Sequence, residues 1–212
     1  MNYLASITVS ILEGSLTTIQ LFCLTLLFSV PIGVMISLAR VSRRRFLSKL
    51  MEAYIWVMRG TPLLLQMFFI YFGLPNIGIS IDRFAAAVLA FSLNYAAYFA
   101  EIFRGGILSI DKGQFEASYA LGLNGWQTMR WIILPQVVRS VLPPISNEVI
   151  TLVKDTSLVY AIGLSELLRA AKIAATRDFT ISPFVVAALF YLFFTYLLTK
   201  GFHWLERRSN HS

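Results

Sequence analysis

Five ionisable side chains, Arg59, Glu101, Glu148, Lys154 and Asp155, fall within long apolar stretches of this sequence. A charge at membrane depth costs about 2.5–3.5 kcal/mol on insertion scales, so each needs a partner, a watery path or a ligand. Counted from Pro143, Asp155 stands roughly 18 Å along a helix, near the middle of a bilayer, with Thr156 and Ser157 beside it. Carriers place substrate and ion sites at that depth. Arg59 lies about 13 Å in from one side by the same count, so it can pair with Glu101 or Glu148 at similar depth. Asn94, Tyr98 and Glu101 are spaced four and three apart and share one helix face, a stripe suited to protein or water rather than lipid. Thr61-Pro62 loosens the helix beside Arg59, and Gly60 adds freedom. Two readings follow. Arg59, Glu101 and Glu148 form either an ion-pair network that fixes helix packing or part of a solute path. The cluster of Lys154, Asp155, Thr156 and Ser157 is the better candidate for substrate contact or gating.

The elements that must hold these residues are transmembrane helices. The chain has 212 residues, a mean hydropathy of +0.69 and 57% hydrophobic but only 14% charged residues. Soluble domains carry about 25% charged residues, so the excess apolar surface requires lipid. Five apolar runs are long enough to span, near 16–39, 53–73, 84–104, 140–162 and 183–204. They are continuous rather than alternating, which predicts helices and an all-α, single-domain membrane protein over 1–212. Residues 1–15 read as an external lead, with Glu13-Gly14-Ser15 starting the first helix, and no cleavable leader is expected. Pro31 should kink the first span, and Pro143-Pro144 should open the fourth. The segment 163–182 reads as an amphipathic surface helix. Cys23 sits in an apolar run and reads as a small buried hydrophobe.

Orientation follows from Lys and Arg. With the N-terminus outside, twelve of the 18 basic residues fall in inside segments, four outside and two within spans. The positive-inside bias therefore puts the C-terminus and the 105–139 loop in the cytoplasm. The net charge of +7 does not point to nucleic acid, because the basic residues cluster at the ends of apolar runs.

That loop carries the second constellation. Within 114–135, Glu116, Ala117, Gly122, Ile132, Leu134 and Pro135 fall at the spacings Glu-Ala-Ala, three residues, Gly, nine residues, Ile, one residue, Leu-Pro, with Ser118 at the second Ala. This pattern is similar to the "EAA" loop of ATP-binding-cassette (ABC) importer permeases. Arg59-Gly60-Thr61-Pro62-Leu63, Asn94-Tyr95-Ala96-Ala97-Tyr98 and Lys154-Asp155-Thr156-Ser157-Leu158 extend the resemblance to the polar amino-acid uptake branch. The resemblance implies a five-span, type I importer permease in a bacterial plasma membrane. It also implies two ATPase subunits docked on Glu116, Ala117, Ser118, Gly122, Leu123 and Pro135, a second permease copy, identical or paralogous, and an extracytoplasmic amino-acid-binding protein. On that reading Arg59 or the helix end near Thr61 meets the substrate carboxylate. Asp155 or Glu148 meets the ammonium, and Asn94 and Tyr98 add neutral hydrogen bonds.

No catalytic, cofactor or metal constellation is legible. Ser165 and His203 fall on opposite membrane faces, too far apart for a base and nucleophile. His203 and His211 lack a ligand set, and there is no phosphate-binding GxxxxGK[ST] loop. ATP hydrolysis is therefore expected in a separate subunit. The rival readings are a membrane assembly or receptor protein without a path, and a standalone secondary carrier.

Overall fold

The structure is a computed structural model that describes residues 3–42 and 44–210. Among these residues all regular structure is helical. Helix α1 spans Tyr3–Val41, α2 Arg45–Gly60, and α3 Leu63–Phe68, which winds on through a π-turn (Phe69–Gly73) and a 3₁₀ turn (Leu74–Ile77). Helix α4 spans Arg83–Leu108, α5 Lys112–Ala120 and α6 Gly125–Gln127, the last followed by a π-turn (Thr128–Ile133). Helix α7 runs Leu134–Asp155 into a 3₁₀ turn (Thr156–Ile162), and α8 (Leu167–Asp178) and α9 (Ser182–Asn210) complete the chain.

Helix α4 is the centre of the bundle. Asp82 caps it by accepting the N–H groups of Phe84 and Ala85. Ala86, Ala87, Ala90, Ala96, Ala97 and Ala100 are all buried. Small residues let helices approach closely where lipid supplies no hydrophobic drive between them. Gly33 of α1 shows how close: a Cβ there would lie 2.8 Å from Phe99 Cβ and 3.0 Å from the Ala96 carbonyl. Gly106 makes the matching contact with α7, where a Cβ would overlap Val141 Cγ1. Only 11% of the apolar window of α9 is buried, so its Phe- and Tyr-rich surface faces lipid or another subunit.

Several expectations are corrected. The first helix begins at Tyr3, not near Glu13-Gly14-Ser15. Its early turns have a partner, since Ile11 is fully buried with Leu167 and Ala171, and a Cβ on Gly14 would lie 2.9 Å from the Glu166 backbone. Helix α7 begins at Leu134, with Pro135 in its first turn, and Pro143-Pro144 lie inside it. Burial of Val137, Val141 and Val149 holds the helix through the two missing donors. Cys23 is exposed on α1 rather than buried. The expected second span is broken, its two parts meeting at 103° across Thr61-Pro62. Among the described residues three helices (α1, α4 and α9) are long and apolar enough to cross a membrane, or four if the bent pair counts as one. The expected count of five also needs α7, a helix that carries Arg139, Glu148, Lys154 and Asp155. The amphipathic helix expected in 163–182 is α8, which packs Leu167, Ala171 and Ala174 inward beside α1 and α9.

Candidate functional site

The break between α2 and α3 builds one wall of the site. Thr61 precedes a proline and is pushed into extended backbone (φ −120°, ψ 147°). This strands the last carbonyls of α2, and side chains satisfy them. Thr61 Oγ1 donates to the Val57 carbonyl at 2.8 Å, and Gln66 Nε2 and Asn94 Nδ2 each donate to Met58 O at 2.9 Å. Asn94 Nδ2 also reaches Gln66 Oε1 at 3.0 Å, and Gln66 Nε2 reaches Thr61 Oγ1 at 2.7 Å. Arg59 therefore ends α2 at the negative pole of its dipole, where a cation is favoured.

Across from this wall, Glu148, Thr151 and Asp155 follow at i, i+3 and i+7 along one face of α7. Asp155 Oδ2 accepts from the buried Tyr95 hydroxyl at 2.7 Å. A cavity of about 550 Å³ opens between the walls, lined by Arg59, Thr61, Asn94, Tyr98, Glu148 and Asp155 among others. Its volume lies within the range of small-molecule sites. The Arg59 guanidinium sits over the Tyr98 ring, 5.1 Å from the centroid.

The structure thus brings together Arg59, Thr61, Asn94, Tyr98, Glu148 and Asp155. Glu101 is placed differently. It ion-pairs with Arg104, one turn along α4, and lines a neighbouring cavity of about 520 Å³ with Arg40, Glu52 and Arg59. Lys154 is exposed and off the cavity wall. Thr156 is fully buried and donates to the Val153 carbonyl at 2.7 Å, and Ser157 does not line the cavity. The helix tightens to 3₁₀ at Thr156, which rotates these side chains away from Asp155. Sequence reasoning passed over Gln66 and Tyr95. The only signal for Gln66 is a lone amide in an apolar run, and for Tyr95 the need of a buried hydroxyl for a partner.

The 105–139 loop folds into a short helix and a turn. Asp111 caps α5 by accepting from Gly113 N at 2.6 Å. At the other end Gly122 has φ +77°. The Gly122 N–H donates to the Tyr119 carbonyl at 3.0 Å and the Leu123 N–H to that of Ser118 at 3.1 Å. This is the Schellman arrangement, which needs a left-handed residue at Gly122. Asn124 and Gln127 then cap α6 reciprocally. Glu116 and Ala117 are exposed on α5, while Ser118 is buried and donates to the Gln114 carbonyl. Tyr119 (57% exposed) and Leu121 (79%) present apolar surface. Phe115 turns inward toward Ile133 and Val137, and Leu123 is half-buried. Pro135, exposed, sits in the first turn of α7, so loop and cavity wall are one continuous helix apart.

Residues 29–211 match the family described as binding-protein-dependent transport system inner membrane component. The chain belongs to this family of permeases. The permease is 44% identical over 182 residues to the probable amino-acid ABC transporter permease protein YckA of Bacillus subtilis, covering 85% of this chain and 80% of the relative. It is 41% identical over 201 residues to the L-cystine transport system permease protein TcyB of the same organism (93% and 86% covered). It is 40% identical to the glutamine transport system permease protein GlnP of Escherichia coli K12 (93% and 92% covered). A crystal structure of an amino acid ABC transporter with histidines superposes with a TM-score of 0.90 at 34% identity, covering 98% of this chain and 99% of that one. A chain of the MetNI methionine ABC transporter shares the fold, at 20% identity and a TM-score of 0.76, with 94% and 96% covered. The chain is therefore a binding-protein-dependent transport permease, a multi-pass inner-membrane protein with the importer permease fold.

Proposed function

We propose that this permease forms, with a second permease copy, the path by which a polar amino acid enters the cell. The observation that carries this reading is the cavity with a guanidinium on one wall and two carboxylates on the other. An amino acid is a zwitterion, with a carboxylate that needs donors and an ammonium that needs acceptors. Arg59 supplies the first, the Thr61 hydroxyl being spent on the Val57 carbonyl beside it, and Asp155 and Glu148 supply the second. Tyr98 adds a neutral hydroxyl. Asn94 Nδ2 is engaged with Met58 and Gln66, so its part is to hold the wall. Glu101, Lys154, Thr156 and Ser157 belong to the frame around the path rather than to its lining.

The loop around α5 docks two cytoplasmic ATPase subunits, with Glu116, Ala117, Gly122 and Pro135 offered to the partner and buried Ser118 and half-buried Leu123 holding the loop's shape. ATP hydrolysis takes place there and not in this chain. An extracytoplasmic amino-acid-binding protein delivers the substrate. The whole chain, 1–212, acts as one membrane domain, with its N-terminus outside and its C-terminus in the cytoplasm.

The test is Asp155→Asn in the assembled transporter. Asparagine keeps the size and an acceptor for the Tyr95 hydroxyl but removes the charge that meets an ammonium. Uptake should fall at least tenfold, about 1.4 kcal/mol or more, with assembly intact. Normal uptake in the assembled variant would leave Asp155 a packing residue.

A further inference from the structure

Arg83 opens α4 and Arg169 lies in the first turn of α8, far apart in sequence but together in the fold. A Cβ built on Gly163 would lie 3.0 Å from Arg169 Nη1 and 3.5 Å from Arg83 Nη1. Arg83 Nη1 also donates to the Gly163 carbonyl at 3.5 Å, and Arg83 Nε to the Tyr71 hydroxyl at 3.1 Å. Two like charges converging on one point repel unless an anion sits with them. Neither arginine has an ion pair among the described residues. Neither neighbouring carboxylate comes within ion-pair distance of a guanidinium group, although Asp82 lines the cavity of Arg83 and the charge of Arg169 acts on Glu166. Asp82 accepts the N–H groups of Phe84 and Ala85, and Glu166 accepts those of Leu168 and Arg169 and the Tyr191 hydroxyl. Arg169 Nη1 is buried without a hydrogen-bond partner among the described residues, and an unmade bond from a buried charged donor is costly.

Two cavities share Gly163. One, of about 580 Å³, is lined by Tyr160, Arg169, Lys172 and Ile173, and the other, of about 570 Å³, by Tyr71, Arg83 and Ser165. Lys172 adds a third cation, its Nζ 4.9 Å from the centre of the Tyr160 ring. Tyr160 and Ile173 are also exposed apolar surface in the same cavity, 41% and 56% accessible.

We propose that Arg83, Arg169 and Lys172 form a binding site for the phosphate of an anionic phospholipid head group. Three features favour a lipid. The site lies where α4 begins and where α7, through its 3₁₀ turn, ends beside α8, at the ends of membrane-crossing segments and so at the level of head groups. A phosphodiester offers several acceptor oxygens to converging guanidinium groups. The exposed Tyr160 and Ile173 flank the cations, where an acyl chain would start and a bare anion would find no partner. This proposal stands apart from the transport reading, since none of the three residues lines the cavity of Arg59 and Asp155.

The full chain, reconstituted in nanodiscs of equal parts phosphatidylcholine and phosphatidylglycerol, should retain phosphatidylglycerol in native mass spectrometry. The variant Arg83→Gln/Arg169→Gln should hold it roughly tenfold less tightly, the size of a lost charge-assisted contact. Arg207→Gln, an exposed cation elsewhere, should change nothing. Independently of any variant, dihexanoyl phosphatidylglycerol should raise the thermal midpoint of the unaltered protein saturably, and the phosphatidylcholine analogue should not. Equal lipid retention by the double variant overturns the proposal. So does an equal rise with inorganic phosphate alone, which would make this a free-anion site. Retained lipid with loss of uptake would assign the cations to an acidic protein surface and overturn it likewise.

Discussion

Glu166 is a fully buried carboxylate that ties three helices together. Its oxygens accept the N–H groups of Leu168 and Arg169, both at 2.6 Å, and the Tyr191 hydroxyl of α9 at 3.2 Å, while its backbone abuts Gly14 of α1. Burial pushes its carboxyl above the usual carboxylate value, against the pull of those hydrogen bonds. The folded chain therefore binds this proton more tightly than the unfolded chain. The resulting stability is fully present below the ordinary glutamate value of about 4.3 and is lost as pH rises from there through the folded value. The thermal midpoint of the solubilised protein should show this loss, and Glu166→Gln, which keeps a carbonyl acceptor and cannot ionise, should make the profile flatter. An identical profile in the variant would place the dependence on another group.

Helices α5 and α7 join the loop to the cavity. Gly106 fits under Val141, and Ile133, Val137 and Val141 are buried with Phe103 and Phe115 around them. Interiors packed in this way transmit displacement rather than absorb it. On the proposed reading, a movement imposed on α5 would be carried to Asp155 through α7. Gly122 sets the end of α5, and its Cβ direction is open, with nothing within 4 Å. Valine there would cost about 1–2 kcal/mol of left-handed backbone strain, too little to unfold the bundle. Gly122→Val should leave membrane insertion near normal and abolish transport, either by loss of ATPase binding or by loss of hydrolysis stimulated by the loaded binding protein. Gly122→Ala, with less bulk on the same face, should keep part of the activity. A Gly122→Val complex that assembles, hydrolyses and takes up substrate normally would make this position a connector only.

At the scale of the whole molecule the decisive property is which side each end faces. The orientation proposed above, which rests on the twelve-to-four distribution of Lys and Arg, would have the α1–α2 connection inside and the α3–α4 connection outside. The exposed positions Lys49 and Asn76 report on the two sides. With exposed Cys23 replaced, Lys49→Cys should react with an impermeant thiol reagent only from the cytoplasm and Asn76→Cys only from outside. The reverse pattern would put the loop of α5 in the wrong compartment for an ATPase and undo the proposed coupling.

The linear order of residues was sufficient for whatever depends on local chemistry or on one helix. Apolar runs need lipid, so membrane residence was legible. The loop spacing from Glu116 to Pro135 was legible because its groups lie on one short stretch, and so was the helix end at Gly122, since few residues other than glycine accept a left-handed turn. Asn94, Tyr98 and Glu101 share a helix face, as their spacing requires, yet Glu101 is turned to Arg104 while Tyr98 stacks under Arg59. That choice depends on which helix lies opposite, and no periodicity encodes it. The 103° break at Thr61-Pro62 was readable as a loosened helix but not as a corner. The corner exists because Gln66 and Asn94, the latter 36 positions from Met58, satisfy the carbonyls it strands. The pairing of Tyr95 with Asp155 across 60 positions, and the convergence of Arg83 and Arg169 on Gly163, are likewise decided only when α4, α7 and α8 pack together. Burial then fixes partners that chain separation leaves undetermined.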